Sequence, residues 1–261
     1  MKVLVLGAGK MVGALLKGLH NGGHDLSEWL IFSPSKDSAR TLAKEIGASA
    51  IEDLSHLGPL EFILLGCKPQ QLHDLKSLIG DQFNDQLFIS LLAAVSEENQ
   101  LKILGAKSLI RMMPNLPVEK NAGVTLLSSD SISMKLPSFK TLFSILGEVF
   151  IVNEDELDEL TLLTGSGPAL FYEFALTLSK SFSSLNETER ERLSSMVLRG
   201  AGLSVEKDKT LLELIENVTS KGGVTKAILD SWRKGSFGDV ISQGVIAGKK
   251  RTQEIKDSLQ S

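Results

Sequence analysis

Cysteine is almost missing from this chain of 261 residues. Cys67 stands alone, which excludes an internal disulfide or a thiolate metal cluster and makes a reducing cytoplasm the expected compartment. The only histidines, His20, His24, His56 and His73, sit in four separate contexts that do not read as a ligand set, so no metal is expected. Charge of one sign is not concentrated either: 28 basic and 32 acidic residues give a net charge of -4 without long blocks. That removes the electrostatic footprint of a nucleic-acid-binding surface, and no nucleic-acid partner is expected. Long hydrophobic runs are absent as well. The opening MKVLVLGAGK has too short an apolar run before Gly7 for a signal-peptide core, and no later stretch reaches about 18 apolar residues, so no membrane span is expected. The 42% apolar content is enough for one large core or two smaller ones.

What is present is a regular alternation. KVLVLG, EWLIFS, LEFILLG, QLFISLLAAV, KSLIRMMPNLP and GEVFIVN read as strands. Between them KMVGALLKGLH, DSARTLAKEIG, QQLHDLKSLIG and SEENQLKILG read as helices, stopped by glycines such as Gly47 and Gly80 or begun by Ser96. This order implies an α/β fold, a Rossmann-type doubly wound parallel sheet. From Glu154 onward the β signal disappears and helices joined by TGSGP, SSLNETE and TSKGG remain, which divides the chain into a dinucleotide-binding domain over 1–152 and a helical domain over 153–261. Pro168 suits the first turn of a helix that is apolar on more than one face. The helical part has too few internal partners for its apolar surface, and a homodimer that interleaves two copies would cover it.

Gly7 and Gly9 fall between the first strand and the first helix. A Cβ at Gly7 would hinder the tight turn, and one at Gly9 would hold a pyrophosphate off the helix N-terminus, where free N–H groups and the dipole favour an anion. Val12 stands at the third glycine position of the dinucleotide fingerprint, so the match is incomplete. Where an NAD-binding turn offers a carboxylate to the ribose, IFSPSKDSAR offers Ser33, Ser35 and Lys36. Hydroxyls and an ammonium suit a 2′-phosphate, and NADPH is expected in preference to NADH. In CKPQ, Pro69 turns the chain so that Lys68 lies at the carboxyl edge of the sheet, and Cys67 beside it reads either as an activated thiolate or as a buried small residue. Asn115, bracketed by Pro114 and Pro117, either meets a nicotinamide or ribose through its amide or closes an Asx-type turn. In NVTSKGGVTKA, Gly222 and Gly223 can turn their N–H groups inward as an anion nest, with Ser220 and Val224 flanking them and Thr225 presenting a hydroxyl from the first helical turn. A plain N-cap by Thr219 or Ser220 is the alternative.

Together these segments resemble the Δ1-pyrroline-5-carboxylate reductase family over nearly the whole chain. GAGKMVGALLKGL, with Lys10 and Met11, looks like the family's G-x-G-x-M-A segment, FSPS its 2′-phosphate loop and CKPQ its V-K-P turn. RMMPNLPVEKNAG is similar to R-x-M-P-N-x-P…N-A-G, LTGSGPALFY to G-S-G-P-A-x-x-Y, and TSKGGVTKA to S-P-G-G-x-T. The resemblance implies an NADPH-dependent reduction of a cyclic imino acid in the last step to proline. It places the substrate carboxylate on Gly222 and Gly223 and the ring nitrogen on Thr225, and it has the glycine loop of one chain complete the nicotinamide site of the other. Departures are Lys221 for the usual proline, Val12 for alanine, Ala94 for the glycine of S-I-A-A-G-V, and EKDKTLLEL without the family's His-Pro. They leave room for a paralogous reductase of another small carboxylate, or for a dinucleotide sensor without catalysis.

Overall fold

The alternation is realised as one eight-stranded sheet with helices packed on it in the computed structural model, which describes residues 1–205 and 208–260. Residues 206 and 207, at the start of EKDKTLLEL, lie outside the described residues. The strands are β1 (Val3–Leu6), β2 (Trp29–Phe32), β3 (Ser49–Ala50), β4 (Phe62–Leu65), β5 (Leu87–Ser90), β6 (Ser108–Pro114), β7 (Gly123–Ser128) and β8 (Gly147–Ile151), in the spatial order 3-2-1-4-5-6-7-8. Helices α1 (Lys10–Asn21), α2 (Lys36–Ile46), α3 (Leu72–Ile79), α4 (Glu97–Leu104) and α5 (Leu136–Phe143) connect them. β1 is buried along its whole length, and its side chains alternate between two cores as the period of two requires. Val3 and Val5 join Leu15, Leu19, Trp29 and Phe62, while Leu4 and Leu6 join Ile63, Leu65, Leu72 and Phe88.

Besides β3 and α5, which the sequence expectation did not include, two features differ from it. GVTLLS, unrecognised as a strand, forms β7 antiparallel to β6, with Met112 opposite Leu127, so the sheet is parallel through β6 and again only between β7 and β8. The reversal is made by the Pro/Asn turn and a short 3-10 segment, Leu116–Lys120, ended by Asn121 in the left-handed region (φ 55°). The Asn121 amide donates to the carbonyls of Gly18 and Ile145, both at 2.8 Å, and fixes that turn on α1.

The second difference is at TGSGP, which does not join two helices. A single helix, α6 (Glu154–Lys180), runs through it with Pro168 inside. Proline has no N–H for the carbonyl four residues earlier. That carbonyl, of Thr164, instead accepts from the Asn115 side-chain amide at 3.0 Å. A tertiary hydrogen bond thus replaces the missing helical one.

The described chain forms two compact units, Met1–Ser166 with the stretch from Arg251 onward, and Gly167–Lys250. The second holds the rest of α6, then α7 (Glu187–Leu203), α8 (Leu211–Asn217), α9 (Val224–Lys234) and most of α10 (Phe237–Gln260). Phe174, Trp232 and Phe237 pack together in it, with Trp232 stacked on Phe237 at 5.4 Å. Yet no described residue of α7, α8 or α9 is buried, and Phe171, Tyr172, Leu193, Val197, Leu211 and Val240 remain 59–69% exposed. No helix among the described residues is long and apolar enough to cross a membrane.

Within the first unit, Arg111 of β6 is a fully buried cation. Its Nη1 donates to Glu154 at 2.7 Å and its Nη2 to Asp158 at 2.8 Å, one helical turn apart on α6. Asp158 also holds Lys256 at 2.6 Å, and Glu154 accepts the Glu97 N–H at the start of α4, where the helix dipole favours a carboxylate. Burial pushes the Asp158 carboxyl up, but Arg111 and Lys256 outweigh it and hold it below its usual value. A carboxyl depressed in the folded state contributes stability that is complete above its unfolded pKa of about 3.9 and is lost as pH falls through the lower folded value. Asp158→Asn is therefore expected to cost about 3–5 kcal/mol at neutral pH. The gap from wild type should narrow only below about pH 4, as read from urea midpoints across pH; a gap independent of pH would show that Asp158 does not act as a charge.

Candidate active site

The carboxyl ends of β1, β2 and β4 converge on one crevice because the ladder continues past the strands. The Gly7 N–H donates to Phe32 O at 2.8 Å and the Gly66 N–H to Leu6 O at 2.9 Å. The chain leaves β1 toward β2 on one side and later returns to β4 on the other, so this is the switch point at which open α/β sheets bind ligands. Gly7 has φ 117°, and a Cβ there would stand 2.7 Å from the Gly66 carbonyl oxygen, so only glycine makes this turn. Val12 is accommodated at the third fingerprint position from the opposite side: a Cβ at Gly66 would stand 2.1 Å from a Val12 methyl. The close helix–strand approach is kept, with the small residue moved from the helix to the end of β4.

Gly9 is the N-cap of α1, so no side chain caps the first N–H groups of the helix, and a Cβ placed on Gly9 would meet nothing within 4 Å. Ser96, Asn186 and Thr210 do cap α4, α7 and α8 with their side chains. A cleft of about 520 Å³ runs between α1 and α2, from Gly9 and Asp37 at their starts to Lys17 and Glu45 further along, and Ser33, Ser35 and Lys36 do not line it. Lys10 is exposed and Met11 half-buried beside the turn. Ser33 is half-buried, Ser35 is the N-cap residue of α2 without a side-chain cap bond and shares a hydroxyl contact with Ser38 at 2.8 Å, and Lys36 is exposed. These residues fit a dinucleotide: an uncapped helix start for a pyrophosphate, and hydroxyls with a cation one strand away.

Cys67 and Lys68 follow β4 on the same edge, where Pro69 opens a 3-10 turn and the Gln71 side chain accepts the Lys68 N–H at 3.0 Å. Burial pushes the Cys67 thiol up to about 11, which leaves it protonated and unsuited to nucleophilic work. Asn115 directly follows β6, three strand spacings or about 14 Å from β1 along the same edge. It is buried: its carbonyl accepts the Val124 N–H at 2.8 Å and its amide serves Thr164, so the side chain bridges β7 and α6.

The glycine loop lies in the other compact unit. Gly222 has φ 74°, and Gly223 is the N-cap of α9 with no side-chain cap bond. The alternative of a cap by Thr219 or Ser220 does not hold: the Thr219 hydroxyl turns back to the Ile215 carbonyl at 2.6 Å, and Ser220 accepts the Gly223 N–H through its backbone. A Cβ on Gly223 would stand 2.3 Å from the Ser220 hydroxyl oxygen, so that close approach also requires glycine. Val224 and Thr225 form the exposed first turn.

Sequence reading missed two side chains beside Lys36, Arg40 and Glu52, with Glu52 paired to both Lys36 and Arg40. Arg40 was findable as the i+4 neighbour of Lys36, whereas Glu52 depends on strand pairing. Among the described residues no group of three or more His, Cys, Asp or Glu is arranged to hold a metal.

A sheet with an open glycine turn at its switch point, followed by a helical unit with uncovered apolar faces, defines a two-domain NADP-dependent oxidoreductase. Residues 2–94 match the family model for NADP oxidoreductase, coenzyme F420-dependent, and residues 154–255 match that for pyrroline-5-carboxylate reductase dimerisation. Pyrroline-5-carboxylate reductases of Haemophilus influenzae and Staphylococcus epidermidis are 28% and 27% identical, over 97% and 98% of both chains. In structure the chain is similar to a pyrroline-5-carboxylate reductase from Coxiella burnetii (TM-score 0.83, 24% identity, 97% of each chain). It is also similar to the Plasmodium falciparum pyrroline carboxylate reductase with NADP bound (0.82, 22%, 98% of each). By the dimerisation model over residues 154–255 and by relatives at 27–28% identity over nearly the whole chain, the chain is similar to the pyrroline-5-carboxylate reductase family.

Ala94, which replaces a glycine of the family pattern, sits in the left-handed region at φ 61° and is buried. Relief of about 1–2 kcal/mol of strain should outweigh the 0.4–1 kcal/mol that glycine adds to the unfolded chain's entropy. Ala94→Gly is expected to raise stability by up to about 1 kcal/mol, read as a higher thermal midpoint; an unchanged or lower midpoint would mean the neighbouring loop accommodates the alanine without strain.

Proposed function

We propose that the protein reduces L-1-pyrroline-5-carboxylate to L-proline with NADPH. The observation that supports this most is the start of α9, where two glycines leave helix N–H groups without a side-chain cap and Thr225 stands in the first turn. Such a loop suits a small carboxylate with a hydrogen-bonding atom one bond further on. In this reading the loop of Gly222, Gly223 and Val224 binds the carboxylate through the Gly222 and Val224 N–H groups, the Gly223 N–H being held by the Ser220 carbonyl at 3.0 Å, with Ser220 thus shaping the loop and Thr225 hydrogen-bonding the ring nitrogen. Gly7, Gly9, Lys10 and Met11 hold the pyrophosphate, while Ser33, Ser35 and Lys36 take the ribose phosphate. Cys67, Lys68 and Pro69 border the nicotinamide ribose, and Asn115 serves the same end by fixing the β6 turn.

The cofactor, when bound, supplies a hydride. The iminium form of the substrate already carries its proton on nitrogen, so the protein needs no acid and its work is positioning. Purified protein is expected to oxidise NADPH on addition of L-1-pyrroline-5-carboxylate. Thr225→Val should lower turnover roughly tenfold or more, the effect of one hydrogen bond worth about 1–3 kcal/mol in the transition state. Unchanged kinetics in that variant would remove Thr225 from the reaction. Lys221, exposed beside the glycines, favours as a second reading a related imine or 2-oxo acid with a further negative group. A substrate panel separates the two, since the second reading requires such a compound to exceed pyrroline-5-carboxylate in kcat/KM.

The exposed apolar faces of α6 to α8 support a homodimer, in which the loop of each copy would serve the cofactor held by the other. Light scattering on the eluting protein should give at least twice the chain mass. Leu193→Asp with Val197→Asp should give a monomer that has lost most activity, and a wild-type monomer with full turnover would overturn this assembly.

A further inference from the structure

The ribose end of the cofactor crevice contains a charge that the sequence motif does not supply. β3 pairs in parallel with β2, Leu30 beside Ser49 and Ile31 beside Ala50, and the Ile51 N–H donates to Ile31 O at 2.9 Å. This register brings Glu52 out at the same edge as the Ser33 turn. Its carboxylate divides between two cations of α2: one oxygen meets Lys36 Nζ at 2.6 Å, and the other meets the Arg40 guanidinium. Lys36 and Arg40 are four residues apart and share a helix face, as a site for one anion requires. The hydrogen bonds from Lys36 and then Arg40 hold the Glu52 carboxyl below its usual value, so it is ionised at neutral pH. Asp37, 3.9 Å from Arg40, is the other acidic group beside the pair.

A carboxylate spread between an ammonium and a guanidinium occupies the place that a phosphate monoester would take between the same two groups. We propose that Glu52 is a specificity-determining residue that competes with the 2′-phosphate for Lys36 and Arg40, and so holds down the preference for a phosphorylated over an unphosphorylated dinucleotide. An entering phosphate has to displace Glu52 from its two partners or sit beside it against like charge. An unphosphorylated ribose offers hydroxyl donors and meets an acceptor. This inference rests on the reading of the crevice as an NADP site, so its test uses cofactor fragments that isolate the ribose end and need no turnover.

Calorimetric titration of the full-length protein with 2′,5′-ADP and with 5′-ADP measures that end alone. Glu52→Gln, which keeps size and removes charge, should tighten 2′,5′-ADP about three- to tenfold, the range for freeing two exposed ion pairs, and leave 5′-ADP within about twofold. Lys36→Met should weaken 2′,5′-ADP and not 5′-ADP. If wild type prefers 2′,5′-ADP but Glu52→Gln binds it no more tightly, Glu52 only staples β3 to α2, and the proposal falls while the NADP site stands. If neither protein prefers 2′,5′-ADP over 5′-ADP, the NADP reading itself falls. Since the pair is exposed, Glu52→Gln is expected to keep the wild-type thermal midpoint within a few degrees, which separates a binding effect from a folding one.

Discussion

A buried guanidinium has to be met by charge, and that requirement at Arg111 organises the first unit. Glu154 and Asp158 satisfy it only if the start of α6 presents one face to β6, because the two carboxylates are four residues apart. Fixing that face also fixes the direction of the Thr164 carbonyl further along the helix, which the Asn115 amide reaches from the end of β6. Glu154 in turn serves the first turn of α4, and Lys256 draws the end of α10 to Asp158. A single cation in an apolar strand thereby links the sheet, two helices and the chain terminus, while the carboxyl edge of the sheet stays open.

The two loops with proposed ligand roles use one physical device. At α1 and α9 a glycine is the N-cap and a second glycine with positive φ bends the chain just before it, so no side chain caps the first N–H groups of either helix. Elsewhere in the chain Ser96, Asn186 and Thr210 satisfy such groups internally. Helices α2, α3 and α5 also begin without a side-chain cap, so what sets α1 and α9 apart is the glycine pair at each start. In the proposed reduction these two helix starts and the Thr225 hydroxyl are the groups that would hold cofactor and substrate.

Much of this was readable in the linear sequence, and the failures are specific. Strands and helices of the first unit follow from alternating periods, and the glycine turns from their place after strands. GVTLLS escaped because its apolar residues do not alternate cleanly and the preceding Pro/Asn turn looked like the end of the sheet. TGSGP misled because proline ordinarily breaks a helix, and the rescue comes from Asn115, 49 residues away. The departure at Val12 looked like a defect until Gly66, on a different strand, proved to make room for it.

Local order, meaning element types, the open turns at Gly7 and Gly222 and the surplus of apolar helix surface, was determined by the sequence alone, because backbone conformation and periodicity are properties of neighbouring residues. Only the tertiary structure decided the antiparallel step at β7, the unbroken α6, the ion network around Arg111 and the meeting of Glu52 with Lys36 and Arg40. Each of these depends on which strand lies beside which, and side-chain charges far apart in the chain become partners only when strand register brings them to one edge.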